Sequence, residues 1–97
     1  MQTISLDTVM PLQDKKITSI YHTEARQIVH LQLSAAQEIA THQSPKQVFI
    51  IVKSGKVIFT VSDQEITLSP NEVLVMEPDE YHSLKALEDT SILVIKS

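Results

Sequence analysis

The sequence predicts an all-β domain, a sandwich or barrel of short strands, and three observations carry the prediction. Isoleucine, valine and threonine make up 28 of the 97 residues, and branching at Cβ stiffens these side chains in a way that suits a pleated strand. Apolar runs of four to six residues recur along the chain. Turn-forming residues separate those runs at the short spacing expected of an all-β fold.

The elements follow in order. Thr3-Ile4-Ser5-Leu6 alternates like a half-buried strand, so the segment from Gln2 to Leu12 is expected to pair with its own barrel or, exchanged, with a partner's. Five strand-like runs come next: Ile28 to Leu33, Val48 to Val52, Val57 to Val61, Val73 to Met76 and Ile92 to Ile95. The helical competitor is Ser34 to His42, which contains Ala35, Ala36, Gln37 and Glu38. It is short and lacks an apolar stripe, so it reads as a turn followed by a strand. Ser54-Gly55 and Ser62-Asp63-Gln64 each sit between strand-like runs and read as hairpins. Pro70-Asn71 fits the central pair of a type II turn, because proline presets φ and asparagine tolerates a positive φ. Glu77-Pro78-Asp79-Glu80 and Glu88-Asp89 are two further turns.

The length argues for one domain over 1–97. The absence of cysteine excludes disulfides and thiolate metal sites, so a metal would have to be held by His, Asp or Glu. The net charge is −4, from 8 Lys+Arg against 12 Asp+Glu. The basic residues are scattered, and only Lys15 and Lys16 are adjacent, which speaks against nucleic acid and against a polybasic membrane anchor. MQTISLDTVMPLQDKK carries acids and polar residues where a signal peptide would be apolar. No run approaches the ~20 apolar residues of a membrane span. A soluble, cytoplasmic protein is the expectation, with no nucleic-acid or membrane partner.

Val48-Phe49-Ile50-Ile51-Val52 is apolar on both faces of its strand, where a solvated sheet would alternate. A cover for its outer face is therefore expected. The expected cover is a second copy of the chain, giving a homodimer; the competing cover is the N-terminal segment folded back.

Candidate chemistry rests on four histidines, His22, His30, His42 and His82. No HExxH, P-loop or GxGxxG occurs, and a single glycine excludes glycine-rich phosphate loops. His22 reads as a strand-end or surface residue. His30 alternates with Ile28 and Gln32 and reads as a packing residue of the interior or an interface. His42 follows Glu38-Ile39-Ala40-Thr41, and His82 follows the turn Glu77-Pro78-Asp79-Glu80-Tyr81. Tyr81 and Glu77 flank His82 and are placed at a barrel mouth, Met76 is a flexible apolar filler of the interior, and Gln47 points to the opposite face from Val48.

Around these two histidines the span from about Ile28 to Ile95 resembles a cupin domain of the conserved-barrel, RmlC-like kind. The first cupin motif is G(X)5HXH(X)3-4E(X)6G. Here Ala36 stands at its first Gly, His42 at its first His, Ser44 at its second His, Val48 at its Glu and Gly55 at its closing Gly. The second motif is G(X)5PXG(X)2H(X)3N. Asn71 stands at its first Gly, Glu77 at the Pro with Pro78 displaced by one place, Asp79 at the second Gly, His82 at the His and Ala86 at the Asn. The spacing holds without a gap, while the identities are partly lost. Asn71 and Asp79 are mild replacements, since both tolerate a left-handed turn; Ala36 is less comfortable in one.

The resemblance implies an antiparallel double-stranded β-helix, or jelly-roll barrel. It also implies a divalent metal (Mn, Fe, Ni or Zn) held by the two His and the Glu of motif one and the His of motif two. Carried over by position, only His42 and His82 remain, because Ser44 is a poor ligand and Val48 cannot bind. An additional ligand would have to come from outside the motifs, for example His30. Two functions follow. One is a binding module with a mostly apolar small-molecule pocket bounded by His42, Ser44, Val48, Met76, Tyr81 and His82. The alternative is a metal-dependent enzyme of dioxygenase or isomerase type with an incomplete ligand set.

Overall fold

The computed structural model describes residues 1–6 and 15–97. Nine strands form in it: β1 (Lys16–His22), β2 (Gln27–Leu33), β3 (Glu38–His42), β4 (Val48–Ser54), β5 (Val57–Val61), β6 (Gln64–Leu68), β7 (Val73–Met76), β8 (His82–Ala86) and β9 (Thr90–Lys96). They divide into two antiparallel sheets of order β1-β2-β9-β4-β7 and β3-β8-β5-β6. Among the described residues there is no helix, and so none long and apolar enough to cross a membrane. All five apolar runs are strands, and Ser34 to His42 is the expected turn followed by a strand.

The core lies between the sheets. Leu31, Leu33, Val48, Ile50, Val52 and Ile92 come from the five-stranded sheet, with Met76 on its edge strand. Val57, Phe59, Leu68, Leu84 and Ala86 face them from the other sheet. Strand alternation gives this arrangement, because Val48, Ile50 and Val52 point inward while Phe49 and Ile51 point out.

Turn chemistry explains most of the connections. Ser62 and Asp63 both adopt positive φ, at 47° and 67°, between the paired residues Val61 and Gln64. That is the two-residue type I′ turn whose twist suits a hairpin. Pro78 followed by Asp79 at φ 69° has the signature of a type II turn. The turn at Ser69-Pro70-Asn71-Glu72 does not. It closes through Glu72 N–H to Ser69 C=O at 3.1 Å, and Asn71 keeps an ordinary negative φ.

Three other expectations are corrected. Ser54-Gly55 is no hairpin, because β4 pairs with β7 and β9 while β5 pairs with β6 and β8. The chain instead crosses from one sheet to the other there, and Gly55 makes the bend at φ +90°. Thr3 to Leu6 is not a strand, since none of its backbone joins a ladder and Ile4 is exposed; the remainder of Gln2–Leu12, from residue 7, lies outside the described residues. Conversely, Lys16–His22 is a strand that no apolar run announced. A register shift between Ser19 and Tyr21 interrupts its alternation, so period-two patterning is lost midway.

The two outer faces differ in chemistry. On the four-stranded sheet, cross-strand partners place Glu38, Lys85, Ile58 and Thr67 in one row and Ser83, Thr60 and Glu65 in the next. That is a solvated face. On the five-stranded sheet the rows are Tyr21, Ile28, Ile95, Phe49 and Val75, then Thr18, His30, Leu93, Ile51 and Val73. Neither row contains a carboxylate, a lysine or an arginine. Val73 and Val75 on edge strand β7 are 59% and 46% exposed.

Candidate functional site

His42 and His82 are directly opposed on β3 and β8. A bulge makes this so. Ile39 faces inward opposite Leu84, and strict alternation from Ile39 would turn His42 outward. Two residues, Ala40 and Thr41, instead stand opposite the single Ser83, and the extra residue returns His42 to the inner face. The two rings meet edge to face, with centroids 4.1 Å apart and planes at 66°.

Each ring is anchored through the same nitrogen. His42 Nδ1 lies 2.8 Å from the Ala40 carbonyl, and His82 Nδ1 lies 3.1 Å from the Glu80 carbonyl. A carbonyl oxygen only accepts, so Nδ1 carries the proton in both rings. In the neutral imidazoles Nε2 is then the lone-pair atom.

The approach to His82 is held by a second set of contacts. Asp79 N–H donates to the Ser44 carbonyl at 2.8 Å, and Gln43 Nε2 donates to the Asp79 carbonyl at 2.9 Å. Glu77 N–H donates to the Glu80 carboxylate at 2.8 Å. The loop before β8 is thereby fixed to the loop after β3.

A cavity of about 290 Å³ lies between the sheets against this pair. Val29, Leu31, Val48, Ile50, Phe59 and Leu84 form its apolar wall. Ile17 and Ile39, on the edge strands β1 and β3, bound it where the two sheets do not join. Gln27 and Lys96 add polar atoms beside the histidines. A larger depression of about 630 Å³ lies on the outer face of the four-stranded sheet. It is floored by Thr60, Ser83 and Lys85, which are ordinary solvated residues, and it does not reach the histidine pair.

Of the residues singled out from the sequence, His42, Val48 and His82 line the interior cavity, and Ser44, Met76 and Tyr81 do not. The Ser44 hydroxyl accepts from Lys46 N–H at 3.3 Å, so its side chain serves its own loop. Met76 is packed in the core and leaves the cavity wall to its strand partner Val48. Tyr81 is 60% exposed, because inward-facing His82 leaves its neighbour pointing out. Glu77 is also outside, accepting from Gln47 Nε2 at 3.3 Å. His30 cannot serve as a further ligand. Its neighbours Val29 and Leu31 line the cavity, so His30 faces the other side of the sheet, where its Nε2 lies 2.7 Å from Ser91 Oγ.

Sequence reasoning missed Gln27 and Lys96. The signal for Lys96 was present in β9, where Ile92, Val94 and Lys96 share a parity. Gln27 gave none, being the first residue of its strand.

The donor set does not fit the metal that the motifs imply. Among the described residues no group of three or more His, Cys, Asp or Glu is gathered. Two imidazoles fall short of the three protein ligands that a catalytic metal site keeps.

Burial pushes the His82 imidazole below the ordinary 6.5; the Glu80 carbonyl opposes this, and His42 and Lys96 reinforce it. The sign of the consequence for stability follows. Above pH 6.5 this side chain is neutral in both the folded and unfolded chain and contributes no pH dependence. Below 6.5 the unfolded chain takes the proton first, so stability falls until pH passes the lower folded value. Replacing His82 with glutamine is expected to flatten this fall. Urea midpoints for the two proteins at neutral and mildly acidic pH check it; equal losses on acidification would contradict it.

Residues 27–96 match the family model of the cupin domain. Solved structures agree over almost the whole chain. An RmlC-like cupin protein from Desulfovibrio desulfuricans superposes with a TM-score of 0.87 at 24% identity, covering 100% of this chain and 96% of that one. A conserved protein of unknown function from Streptococcus pyogenes gives 0.86 at 20% identity, covering 99% and 94%. An RmlC-like cupin family protein from Methanocaldococcus jannaschii, described as having a double-stranded β-helix fold, gives 0.85 at 17% identity, covering 100% and 90%. No curated protein matches the chain.

Proposed function

The chain belongs to the cupin family, and from that premise we propose that it binds a small organic molecule in the barrel interior, against His42 and His82. The observation that carries this reading is the pair itself. Two imidazoles are fixed by Nδ1 to backbone carbonyls and share a mostly apolar cavity wall with Gln27 and Lys96. Ligand pockets are commonly built this way, with a hydrocarbon wall and a few placed polar groups. Val48, where the motif has a carboxylate, makes this wall drier and less charged.

The competing reading, a divalent-metal enzyme, has one point in its favour. An Nδ1–H held by a carbonyl is the usual preparation of a metal-binding Nε2. The short donor set weighs more, and we assign no reaction.

The test is direct. Untagged protein is titrated with a panel of small aromatic and aliphatic compounds, and the ring signals of His42 and His82 are followed by NMR. Binders are expected to move both rings and to lose about tenfold in affinity in His42→Ala and His82→Ala, the loss of one hydrogen bond each. Elemental analysis of the same protein decides the alternative. Stoichiometric Mn, Fe, Ni or Zn that disappears in both variants would replace the binding-module reading with the metal one.

The second part of the proposal concerns assembly. The outer face of the five-stranded sheet meets a second copy of itself across a two-fold axis. The contrast between the two outer faces supports this. One barrel presents a polar face that suits water and an apolar face that does not: Phe49, Ile51, Leu93 and Ile95 are half-buried and His30 is buried within the chain, while Val73 and Val75 stay exposed at the edge. A self-complementary patch of this kind closes on itself as a dimer.

A further inference from the structure

Lys96 is the one lysine, arginine, aspartate or glutamate in the cavity wall among the described residues. It stands on β9 directly opposite Gln27 on one side and Val48 on the other. No carboxylate of the described residues is within ion-pair distance of it; the ion pair found there is Lys85–Glu38, at 4.0 Å on the opposite outer face. Lys96 lines the same cavity as His42 and His82. The cavity thus offers two kinds of polar group. Lys96 is a charged donor with no partner of opposite sign among the described residues. In the neutral ring each imidazole offers Nε2 as an acceptor, its Nδ1 proton being committed to a carbonyl.

Complementarity then fixes the ligand's chemistry. A charged donor favours an anionic oxygen, and such hydrogen bonds are about twice as strong as neutral ones. A neutral acceptor that loses its water when a ligand covers it needs an O–H or N–H brought by that ligand, since leaving it unpaired on binding would be costly. Ile50, Phe59 and Leu84 stand one inward row from Lys96 and His82, so they require an apolar body on the ligand that reaches past its polar groups. A volume of about 290 Å³ equals roughly ten water-sized volumes, which limits that body to a single ring or a short chain.

We propose that the cavity takes a small hydroxyl-bearing carboxylate, with the carboxylate at Lys96, the hydroxyl donating to the His42–His82 pair and the apolar body over Phe59 and Leu84. The inference rests on the small-molecule reading of the same cavity.

Three probes of one shape test it by calorimetry, with histidine NMR locating the site: 2-hydroxyphenylacetate, its neutral amide, and phenylacetate. The hydroxycarboxylate is expected to bind tightest. The amide should lose about tenfold and phenylacetate several-fold, each for one lost polar contact. Lys96→Gln should erase the preference for carboxylate over amide while leaving the preference for the hydroxyl, and Lys96→Arg should restore the first preference. An amide that binds wild type as well as the acid does, or a preference that survives in Lys96→Gln, overturns the anionic assignment and leaves the cavity reading standing. Phenylacetate binding equal to that of the hydroxy acid overturns the donor assignment. No binding of any probe at millimolar concentration overturns this inference, while the broader panel still judges the cavity. The probe comparison needs wild-type protein alone, so it decides the matter even if a variant fails to fold.

Discussion

Replacing Gly55 with alanine is expected to destabilise the protein by about 2–5 kcal/mol, read as a shift of the urea unfolding midpoint at constant slope. Two costs combine. At φ +90° an L-residue pays roughly 1–2 kcal/mol for the backbone conformation alone. The added methyl group would also run into the Asp89 carbonyl and lie 2.5 Å from Thr90 Oγ1 and 2.7 Å from Thr90 Cα. Two of those three atoms are backbone. They belong to a tight junction in which Thr90 Oγ1 accepts from Lys56 N–H and Leu87 N–H donates to the Lys56 carbonyl. Relieving the clash means moving the crossing between sheets, for an overpacking cost of about 1–3 kcal/mol. A domain of this size has a total stability of order 5–15 kcal/mol, so the variant would stand near the threshold of folding. A change below about 1 kcal/mol would show that the crossing yields easily and that the glycine is incidental.

The second large effect is expected in assembly. Phe49→Asp together with Val75→Asp is expected to convert a dimer into a monomer, with the dissociation constant raised at least a hundredfold. Phe49 and Val75 are cross-strand partners on the outer face. Placing two carboxylates on each protomer at a two-fold interface brings four like charges into an apolar contact, and each desolvated charge without a partner costs several kcal/mol. Neither side chain belongs to the buried core, so the barrel itself should keep its unfolding midpoint to within about 1 kcal/mol once dilution of the dimer is allowed for. Sedimentation or light scattering at micromolar concentration checks the first part, and denaturation of the monomeric variant checks the second. A wild-type protein that is monomeric at these concentrations ends the proposal.

Much of the barrel was legible in the residues. Strands such as Val57–Val61 and Val73–Met76 were readable to the residue, because both are runs of apolar and β-branched residues bounded by turn formers. Asp79 was expected in a left-handed conformation and adopts one. Gly55 was read as a hairpin because a turn residue between two apolar strands looks the same whether the chain doubles back within a sheet or crosses to the next. Local chemistry specifies the bend, and only the long-range ladders specify the partner. β1 was hidden for a similar reason, since its register shift breaks the alternation that reveals a strand. Within the cavity, motif spacing brought His42 and His82 together correctly and placed Val48 beside them. It failed for Ser44, Met76 and Tyr81, because nearness in sequence to a site residue does not decide which way a side chain points. The polar group that sequence reading passed over, Lys96, sits at the far end of the chain from the motifs, and only the pairing of β9 with β2 and β4 carries it there.

The bulge in β3 separates two things that most mutations alter together. The side-chain identity at position 42 and the direction in which position 42 points are encoded independently, the first by one codon and the second by the bulge that sets Ala40 and Thr41 against the single Ser83. Straightening that bulge at unchanged length would leave every histidine in the sequence and turn the imidazole to solvent. Loss of either Ala40 or Thr41 would instead leave His42 two residues from Ile39, on a regular strand and still opposite His82, so a family member shorter by one residue here reaches the same pair without a bulge. The pairing of β3 with β8 is therefore information about the pocket, on the same footing as the residues that line it.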